Sequence, residues 1–167
     1  MSDYVLRLRE MVGPDVLLQL PSVSTAVRDA DQRVLLARHV EGGNWLLPGG
    51  SIEPAELPAD AALRETWEET GLVVRLTGLV GVFGGPEFVV EYRNSQRASY
   101  VMIVFEAVVE SGEPGPRSSE IQELGFFSSE ESGRLPLADW VPQVLKAFFD
   151  PSAGRCVFGA PNWTPPA

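Results

Sequence analysis

The chain has one cysteine and one histidine among its 167 residues. With Cys156 as the single thiol, no disulfide can form within the chain, and a zinc site built from cysteines is excluded. A Ser-His-Asp triad would have to use His39, and no nucleophile-elbow motif accompanies that histidine. We therefore expect Cys156 to be an ordinary packing or surface residue and His39 to mark the end of a strand.

Long apolar runs are missing as well. No stretch approaches the roughly 20 residues that span a bilayer, and the N-terminal segment MSDYVLRLREMVG lacks the apolar core of a signal peptide. We accordingly expect no membrane partner and a cytoplasmic location. A length of 167 residues with 44% hydrophobic residues is typical of one globular domain with its own core.

Positive charge is scarce: 13 lysines and arginines face 23 aspartates and glutamates, which gives a net charge of −10. Duplex nucleic acid requires a basic face on its partner, so the composition argues against duplex binding. The overall field also repels polyphosphates. A phosphate substrate would therefore need a bound metal ion to reverse the local sign of the potential.

What the chain does have is an acidic helix. Pro58 suits the first helical turn, Gly71 suits the left-handed position just past the last turn, and the alanines between them favour helix, so the pattern predicts a helix from Pro58 to Thr70.

The charges of this helix stand at its unfavourable end. Glu65, Glu68 and Glu69 occupy the last two turns, where the helix dipole is negative, and Glu65 and Glu69 repel each other at i,i+4. Arg64 can pair with Glu68, which leaves two carboxylates without a local partner. One interpretation is an exposed acidic helix end. The other is a site for Mg²⁺ or Mn²⁺, which bind clustered oxygen ligands.

A longer pattern surrounds this helix. Gly50 is followed after five residues by Glu56 and after seven more by RETWEETGL, residues 64–72. This resembles the Nudix box, G-x5-E-x7-R-E-U-x-E-E-x-G-U, where U is a bulky apolar residue. Every charged and glycine position matches, whereas Thr66 stands where the family has an apolar residue that packs under the sheet. The order hairpin, loop, W-x-L-P-G-G and box is also similar to that family.

The resemblance implies a Nudix-type α/β/α sandwich with a mixed β-sheet, and attack of water on phosphorus in a nucleoside diphosphate linked to another group. It implies Mg²⁺ or Mn²⁺ as cofactor, with the Gly49 carbonyl, Glu65, Glu68 and Glu69 as ligands. Arg64 would orient the carboxylates by ion pairing. Glu56 is a further candidate ligand or a residue that holds the loop, and Glu120 is a candidate ligand or an exposed loop residue. The general base stays open among Glu69, Glu65 and Glu120.

Candidate substrate contacts lie outside the box. Arg38 ends a strand beside the box loop, where the resemblance implies an arginine that meets phosphate; a solvated strand-end arginine is the equal alternative. Phe88 or Tyr92 could stack on a base, or either could belong to the core. Pro86 is similar in spacing to a proline of the ADP-ribose subgroup, although a turn explains it equally well.

The preferred function is a pyrophosphohydrolase acting on (d)NTPs or related small nucleotides. An ADP-ribose or NADH-like dinucleotide pyrophosphatase is the alternative. A non-catalytic nucleotide sensor on the same fold would need a damaged box, and a purely structural module would leave the helix-end carboxylates unexplained. Many members of the family are dimers, so a homodimer is a further expectation.

Periodicity and turn residues predict the other elements. We expect one domain over residues 1–150, with an N-terminal helix (residues 3–12 within 1–15) packed on it, and an irregular proline-rich tail over residues 151–167. Pro21 should break the apolar run 16–20 from the strand that follows it. The predicted strands cover residues 22–28, 33–38, 45–47, 73–83, 88–92, 98–109 and 123–127, and a last helix covers residues 137–149. The first two strands should form a hairpin, and the strand over 73–83 should bend around Gly78 and Gly81. The apolar run in the strand over 98–109 indicates burial on both faces of the sheet.

Overall fold

The computed structural model describes residues 3–92, 94–150 and 164–165. Its helices are α1 (Asp3–Val12), α2 (Pro58–Thr70), α3 (Ser129–Ser132) and α4 (Val141–Phe149). Its strands are β1 (Leu18–Arg28), β2 (Val34–His39), β3 (Trp45–Leu46), β4 (Gly49–Ser51), β5 (Val73–Phe83), β6 (Val89–Glu91), β7 (Arg97–Ser111) and β8 (Ile121–Phe127).

The eight strands of the described chain form one mixed sheet. Its central path is β3-β2-β1-β7-β5, with β4 paired to β1, β6 to β7 and β8 to β2. The two long strands at its centre, β1 and β7, run parallel, and β5 runs antiparallel to β7 with irregular register near Gly78 and Gly81. These glycines were expected to bend β5, and the register shifts agree with that prediction.

Both faces of the sheet are buried. Side chains alternate along β7, so that Val104 points into a core covered by α4 while Phe105 points into a second core covered by α2. Because α2 and α4 lie on opposite faces, the architecture is the predicted α/β/α sandwich. The apolar run predicted in β7 matches this double burial.

Helix α1 has the predicted bounds and docks at one end of the sheet. Its Val5 packs against Leu20 and Ala98. The buried guanidinium of Arg9 donates to three backbone carbonyls, those of Pro14, Val16 and Arg97. These bonds join the helix to the segment that follows it and to the start of β7.

The prediction that Pro21 interrupts the chain is wrong, because β1 runs through it. The carbonyl of Pro21 accepts from the Ile52 amide at 3.4 Å. In an extended strand the N–H and C=O of one residue point to the same side, so the missing N–H faces the place where β4 has ended rather than β7. The parallel ladder with β7 therefore loses no donor at this position.

The predicted helix over residues 137–149 starts too early. Helix α4 begins at Val141, so that Pro142 lies in its first turn, where its missing N–H is tolerated. A start at residue 137 would place that proline in the helix interior. Leu137 instead forms a parallel bridge with Trp45. The short α3 was not predicted, although Ser128 and Glu131 form a capping box at its start.

The structure tests two other expectations only in part. The hairpin of β1 and β2 is seen at the pair Arg28–Val34, whereas β2 pairs along its length with β8. The tail over residues 151–167, with Cys156, lies almost entirely outside the described residues, so the domain boundary at residue 150 stays a prediction. No helix in the described ranges is long and apolar enough to cross a membrane.

Thr66 and Thr70 offer a matched test of buried hydroxyl groups in α2. Thr66 Oγ1 donates to the Ala62 carbonyl at 2.7 Å, and that carbonyl also belongs to the helical ladder. Thr70 Oγ1 donates to the backbone carbonyl of Thr66 and also accepts from the buried Leu72 amide at 3.2 Å. Loss of the Thr70 hydroxyl leaves that amide without this acceptor.

Thr66→Val should therefore change the free energy of unfolding by less than about 1 kcal/mol, and Thr70→Val should lower it by about 1–3 kcal/mol. Urea unfolding of both variants measures the difference. Equal losses in the two variants would show that the Thr66 hydroxyl has a structural role beyond its own helix.

Candidate active site

The candidate site lies at the C-terminal end of α2. Gly71 adopts a left-handed conformation (φ 75°), and its amide donates to the Trp67 carbonyl at 2.9 Å, which closes the helix as predicted. The loop after β7 covers the exposed carbonyls of the last turn. In this loop, the Gly115 amide donates to the backbone carbonyl of Thr70 at 2.9 Å, and the Arg117 amide donates to the backbone carbonyl of Glu69 at 3.1 Å. These bonds attach to α2 the loop that leads to Glu120.

Strand β4 lies against the acidic side of α2, and its first two residues, Gly49 and Gly50, have no side chains. The Gly49 amide donates to Glu69 Oε2 at 3.0 Å. A Cβ atom at Gly49 would lie 2.2 Å from the Val23 carbonyl oxygen, and one at Gly50 would lie 2.5 Å from the Glu65 carboxyl group. Gly49 is required for close packing against the backbone of β1, and Gly50 leaves room for the Glu65 carboxylate of α2 in its present position.

Arg64 contacts three carboxylates. Its Nε and Nη2 atoms donate to Glu56 at 2.8 and 2.9 Å, and Nη1 donates to Glu65 at 2.8 Å and to Glu68 at 3.2 Å. Glu56 also accepts from the Glu53 amide at 2.9 Å, so it holds the loop as one alternative predicted. The expectation that Arg64 relieves only Glu68 was wrong, because Glu65, the next residue along the helix, also reaches its guanidinium.

Burial and ion pairing change the pKa values of Glu56, Glu65 and Arg64 in different directions. For Glu56, burial favours the neutral form, but the hydrogen bond from Arg64 outweighs it and lowers the pKa of the carboxyl group. For Glu65, burial prevails over the same arginine and raises the pKa. The pKa of Arg64 is raised by its hydrogen bond to Glu56, so the guanidinium remains charged.

Glu69 is the carboxylate that Arg64 does not hold. Its side chain is 8% exposed. Burial raises the pKa of Glu69 to about 8; the Gly49 amide opposes the shift, and the charges of Glu65, Glu120 and Glu68 add to it. A buried carboxylate among like charges is the group in this site that a cation would stabilise most.

His39 lies beside Glu69. Its position at the end of β2 was predicted, but this contact was missed. The Nε2 atom lies 3.7 Å from Glu69 Oε1, is buried, and has no hydrogen-bond partner in the described part of the chain. Burial lowers the pKa of His39, while Glu120 and Glu41 oppose that shift. The sequence contained one clue, the placement of this histidine directly before the loop that leads to Gly49.

Glu120 and Arg38 border the same region. The charge of Glu120 acts on both Glu69 and His39, and its backbone carbonyl accepts from the Val40 amide at 2.9 Å, although its side chain is exposed. Arg38 pairs with Glu123 at 2.8 Å, and its guanidinium carbon lies 5.8 Å from the centre of the Trp45 ring. The Nε atom of Arg38 is buried without a partner among the described residues.

The two aromatic candidates differ. Phe88 is 1% exposed and packs against Phe83 and Trp140, so the core alternative is correct and its ring offers no face to a base. Tyr92 is partly buried, and its hydroxyl contacts that of Tyr100. A role for Tyr92 in substrate binding stays a prediction.

The carboxylates do not yet form a coordination sphere. Across the described ranges, no three acidic, histidine or cysteine side chains stand in a group that could hold one ion. Arg64 accounts for this arrangement at Glu56, Glu65 and Glu68, because it draws all three toward its guanidinium.

Comparison with known proteins agrees with this architecture. A model of the NUDIX domain matches residues 18–148. A MutT-like protein from Streptomyces ambofaciens is 34% identical over 128 residues, which cover 77% of this chain and 75% of that protein. An ADP-ribose pyrophosphatase from Methanocaldococcus jannaschii is 32% identical over 137 residues, which cover 80% and 77% of the two chains.

A solved structure agrees as well. The MutT protein from Methanosarcina mazei superposes with a TM-score of 0.65 at 25% identity, over 79% of this chain and 94% of that one. The chain belongs to the Nudix family and is a Nudix hydrolase. Enzymes of this family generally use divalent metal ions and act on small nucleotides.

The two glycines of β4 should respond differently to a methyl group. Gly49→Ala places a Cβ against immovable backbone and should lower the free energy of unfolding by several kcal/mol. Gly50→Ala meets the end of a flexible side chain, so it should leave stability within about 1 kcal/mol and displace the Glu65 carboxylate from Arg64.

Thermal unfolding and titration with Mn²⁺ would be measured for both variants. A Gly50→Ala protein with unchanged metal affinity and activity would contradict the importance of the close contact between Gly50 and Glu65.

The raised pKa of Glu69 predicts how stability depends on pH. The folded protein keeps the proton of Glu69 until about pH 8, whereas the unfolded chain loses it near the ordinary value of 4.5. Between these values the folded state binds more protons, so this group makes the free energy of unfolding fall as the pH rises, by up to about 1.4 kcal/mol per pH unit.

Urea unfolding with EDTA from pH 5 to 8, compared between the wild type and Glu69→Gln, isolates this contribution. The variant should show a flatter pH dependence, and Glu68→Gln, which alters a half-exposed carboxylate, serves as the matched control. Parallel curves for the wild type and Glu69→Gln would contradict the raised pKa.

Proposed function

We propose that the chain is a divalent-metal-dependent pyrophosphohydrolase that cleaves the phosphoanhydride of a nucleoside diphosphate linked to another group, with (d)NTPs or related nucleotides as substrates. The observation that supports it most is the arrangement at the end of α2. There the buried Glu69 lies among the charges of Glu65, Glu68 and Glu120, and Arg64 is paired to other carboxylates. Such an excess of negative charge is stabilised by a cation.

The donor set fits Mg²⁺ or Mn²⁺. Glu65, Glu68 and Glu69 supply carboxylate oxygens from one side of a helix, with the Gly49 carbonyl, Glu56 and Glu120 as further candidates. Arg64 holds Glu65 and Glu68 in this structure, so a carboxylate that bound the ion would have to leave the guanidinium. Arg64 would keep its contact with Glu56 and orient the remaining carboxylate.

A bound divalent ion would supply positive charge against the phosphate oxygens, which is the main requirement of phosphoryl transfer. The protein's own task is to place a water molecule and accept its proton. Glu69, Glu65 and Glu120 are the candidate acceptors.

Substrate contacts are proposed at the border of the site. Arg38 has a buried guanidinium nitrogen without a partner among the described residues and stands at the end of β2, so we assign it to a phosphate group of the substrate. Tyr92 is a candidate for contact with the nucleoside. The net charge of −10 supports a small-molecule substrate rather than duplex nucleic acid. A cytoplasmic location and a homodimer stay predictions.

The choice of nucleotide has two candidates. A Bacillus subtilis relative named as a putative 8-oxo-dGTP diphosphatase, 39% identical over 62 residues, supports nucleoside triphosphates. The relative that is named as an ADP-ribose pyrophosphatase supports ADP-ribose, and Pro86, which begins a short 3-10 turn, stands where the ADP-ribose subgroup has a proline. A non-catalytic sensor is less well supported, because all the box carboxylates are present.

The test is release of phosphate or nucleotide from a panel of dNTPs, NDPs, ADP-ribose, NADH, diadenosine polyphosphates and nucleotide sugars, with Mg²⁺, Mn²⁺ or EDTA. Cleavage of one class should depend on the metal. Glu69→Gln should lower kcat by about 100-fold or more, and Glu68→Gln should lower turnover by weakening metal binding.

Glu130→Gln alters an exposed carboxylate on α3 and is the matched control, with activity expected to be unchanged. Full turnover by both Glu68→Gln and Glu69→Gln would overturn the proposed metal site. Tight nucleotide binding without cleavage across the panel would favour the sensor.

A further inference from the structure

His39 stands at the end of β2, opposite a bulge in β8. The pairing of β2 with β8 is regular up to Arg38 opposite Glu123 and then shifts, so that His39 stands opposite Ile121. The extra residue, Gln122, lies in β8 and has no partner on β2. Two backbone bonds hold this position: the His39 amide donates to the Asn44 carbonyl at 3.1 Å, and the Val40 amide donates to Glu120 at 2.9 Å.

The imidazole reaches Glu69 without forming a hydrogen bond to it. Nε2 lies 3.7 Å from Glu69 Oε1, which exceeds hydrogen-bond length, and the nitrogen is buried with no partner among the residues described. An unpaired buried nitrogen is costly unless another group satisfies it. The gap suits an ion, because two ligands that each bind one metal at about 2.1 Å lie roughly 3 to 4 Å apart.

We propose that His39 is a nitrogen ligand of the divalent ion bound by Glu69, so that the site combines imidazole with carboxylates. This inference rests on the proposed function, since it assumes that Glu69 binds metal. Glu120 is a further candidate ligand, because its backbone carbonyl accepts from the amide of Val40, the residue next to His39.

A nitrogen ligand changes which metal the site prefers. Carboxylate and carbonyl oxygens suit Mg²⁺, whereas imidazole suits later transition metals, and affinity for a given mixed site rises from Mn²⁺ through Co²⁺. The His39 site should therefore favour Mn²⁺ or Co²⁺ over Mg²⁺. A site made only of the box carboxylates would lack this contribution.

Pulsed electron paramagnetic resonance tests the ligand directly. Mn²⁺ is added to the tag-free wild-type protein, and electron spin-echo envelope modulation is recorded with natural-abundance nitrogen and after labelling with 15N-histidine. Because His39 is the single histidine of the chain, any change on labelling belongs to it. We expect the modulation of a directly coordinated nitrogen, and we expect it to change with the label.

Calorimetric titration gives a second readout. His39→Ala should lower the affinity for Mn²⁺ about tenfold or more and that for Mg²⁺ by less than about threefold. Val40→Ala removes an exposed side chain next to His39 and is the matched control, with both affinities expected to be unchanged. Circular dichroism of each variant checks that the fold is retained.

The outcomes separate the two proposals. Mn²⁺ that binds with no directly coordinated nitrogen in the wild type overturns the role of His39 and leaves the carboxylate site intact. Equal losses of Mn²⁺ and Mg²⁺ affinity in His39→Ala also contradict a nitrogen ligand, because they indicate that the imidazole only orients Glu69. Failure of the wild type to bind Mn²⁺ overturns both this inference and the metal site on which it rests.

Discussion

The contact between the glycines of β4 and the acidic side of α2 is the constraint on which the site depends. A Cβ atom at Gly49 would overlap the backbone of β1, and one at Gly50 would overlap the Glu65 carboxyl group in its present position. The approach buries Glu69, which accepts from the Gly49 amide, and leaves Glu65 partly buried. Burial then raises the pKa of both carboxyl groups.

Arg64 and His39 contact different carboxylates of the site. Arg64 binds Glu56, Glu65 and Glu68 and thereby connects the box loop to the helix. Glu69 is left with one backbone donor and a histidine beyond hydrogen-bond distance. The single charge of Arg64 offsets only part of the charge of its three carboxylates, and Glu69 receives no share of it, so a cation would be stabilised most beside Glu69.

The sandwich positions the carboxylates of α2 by packing this helix against one face of the sheet. Helix α2 buries its alanines against one face of the sheet, while α4 covers the opposite face. The loop after β7 donates two amides to the end of α2 and then continues to Glu120. Elements distant in the sequence, β2, β4, α2 and the loop before β8, thus meet at one end of the fold.

Local chemistry in the sequence was enough to predict α1 and α2 with their bounds, the bend of β5 and the carboxylates of the box, because caps, glycines and charge spacing act over a few residues. It did not reveal the path of β1 through Pro21, since that depends on which neighbouring strand needs the missing N–H. Helix α4 was overextended although Pro142 marked its first turn. The reach of Arg64 to Glu65, the burial of Phe88 and the approach of His39 to Glu69 were decided by tertiary structure alone, because packing brings together side chains that are far apart in the chain or sets which rotamers they adopt.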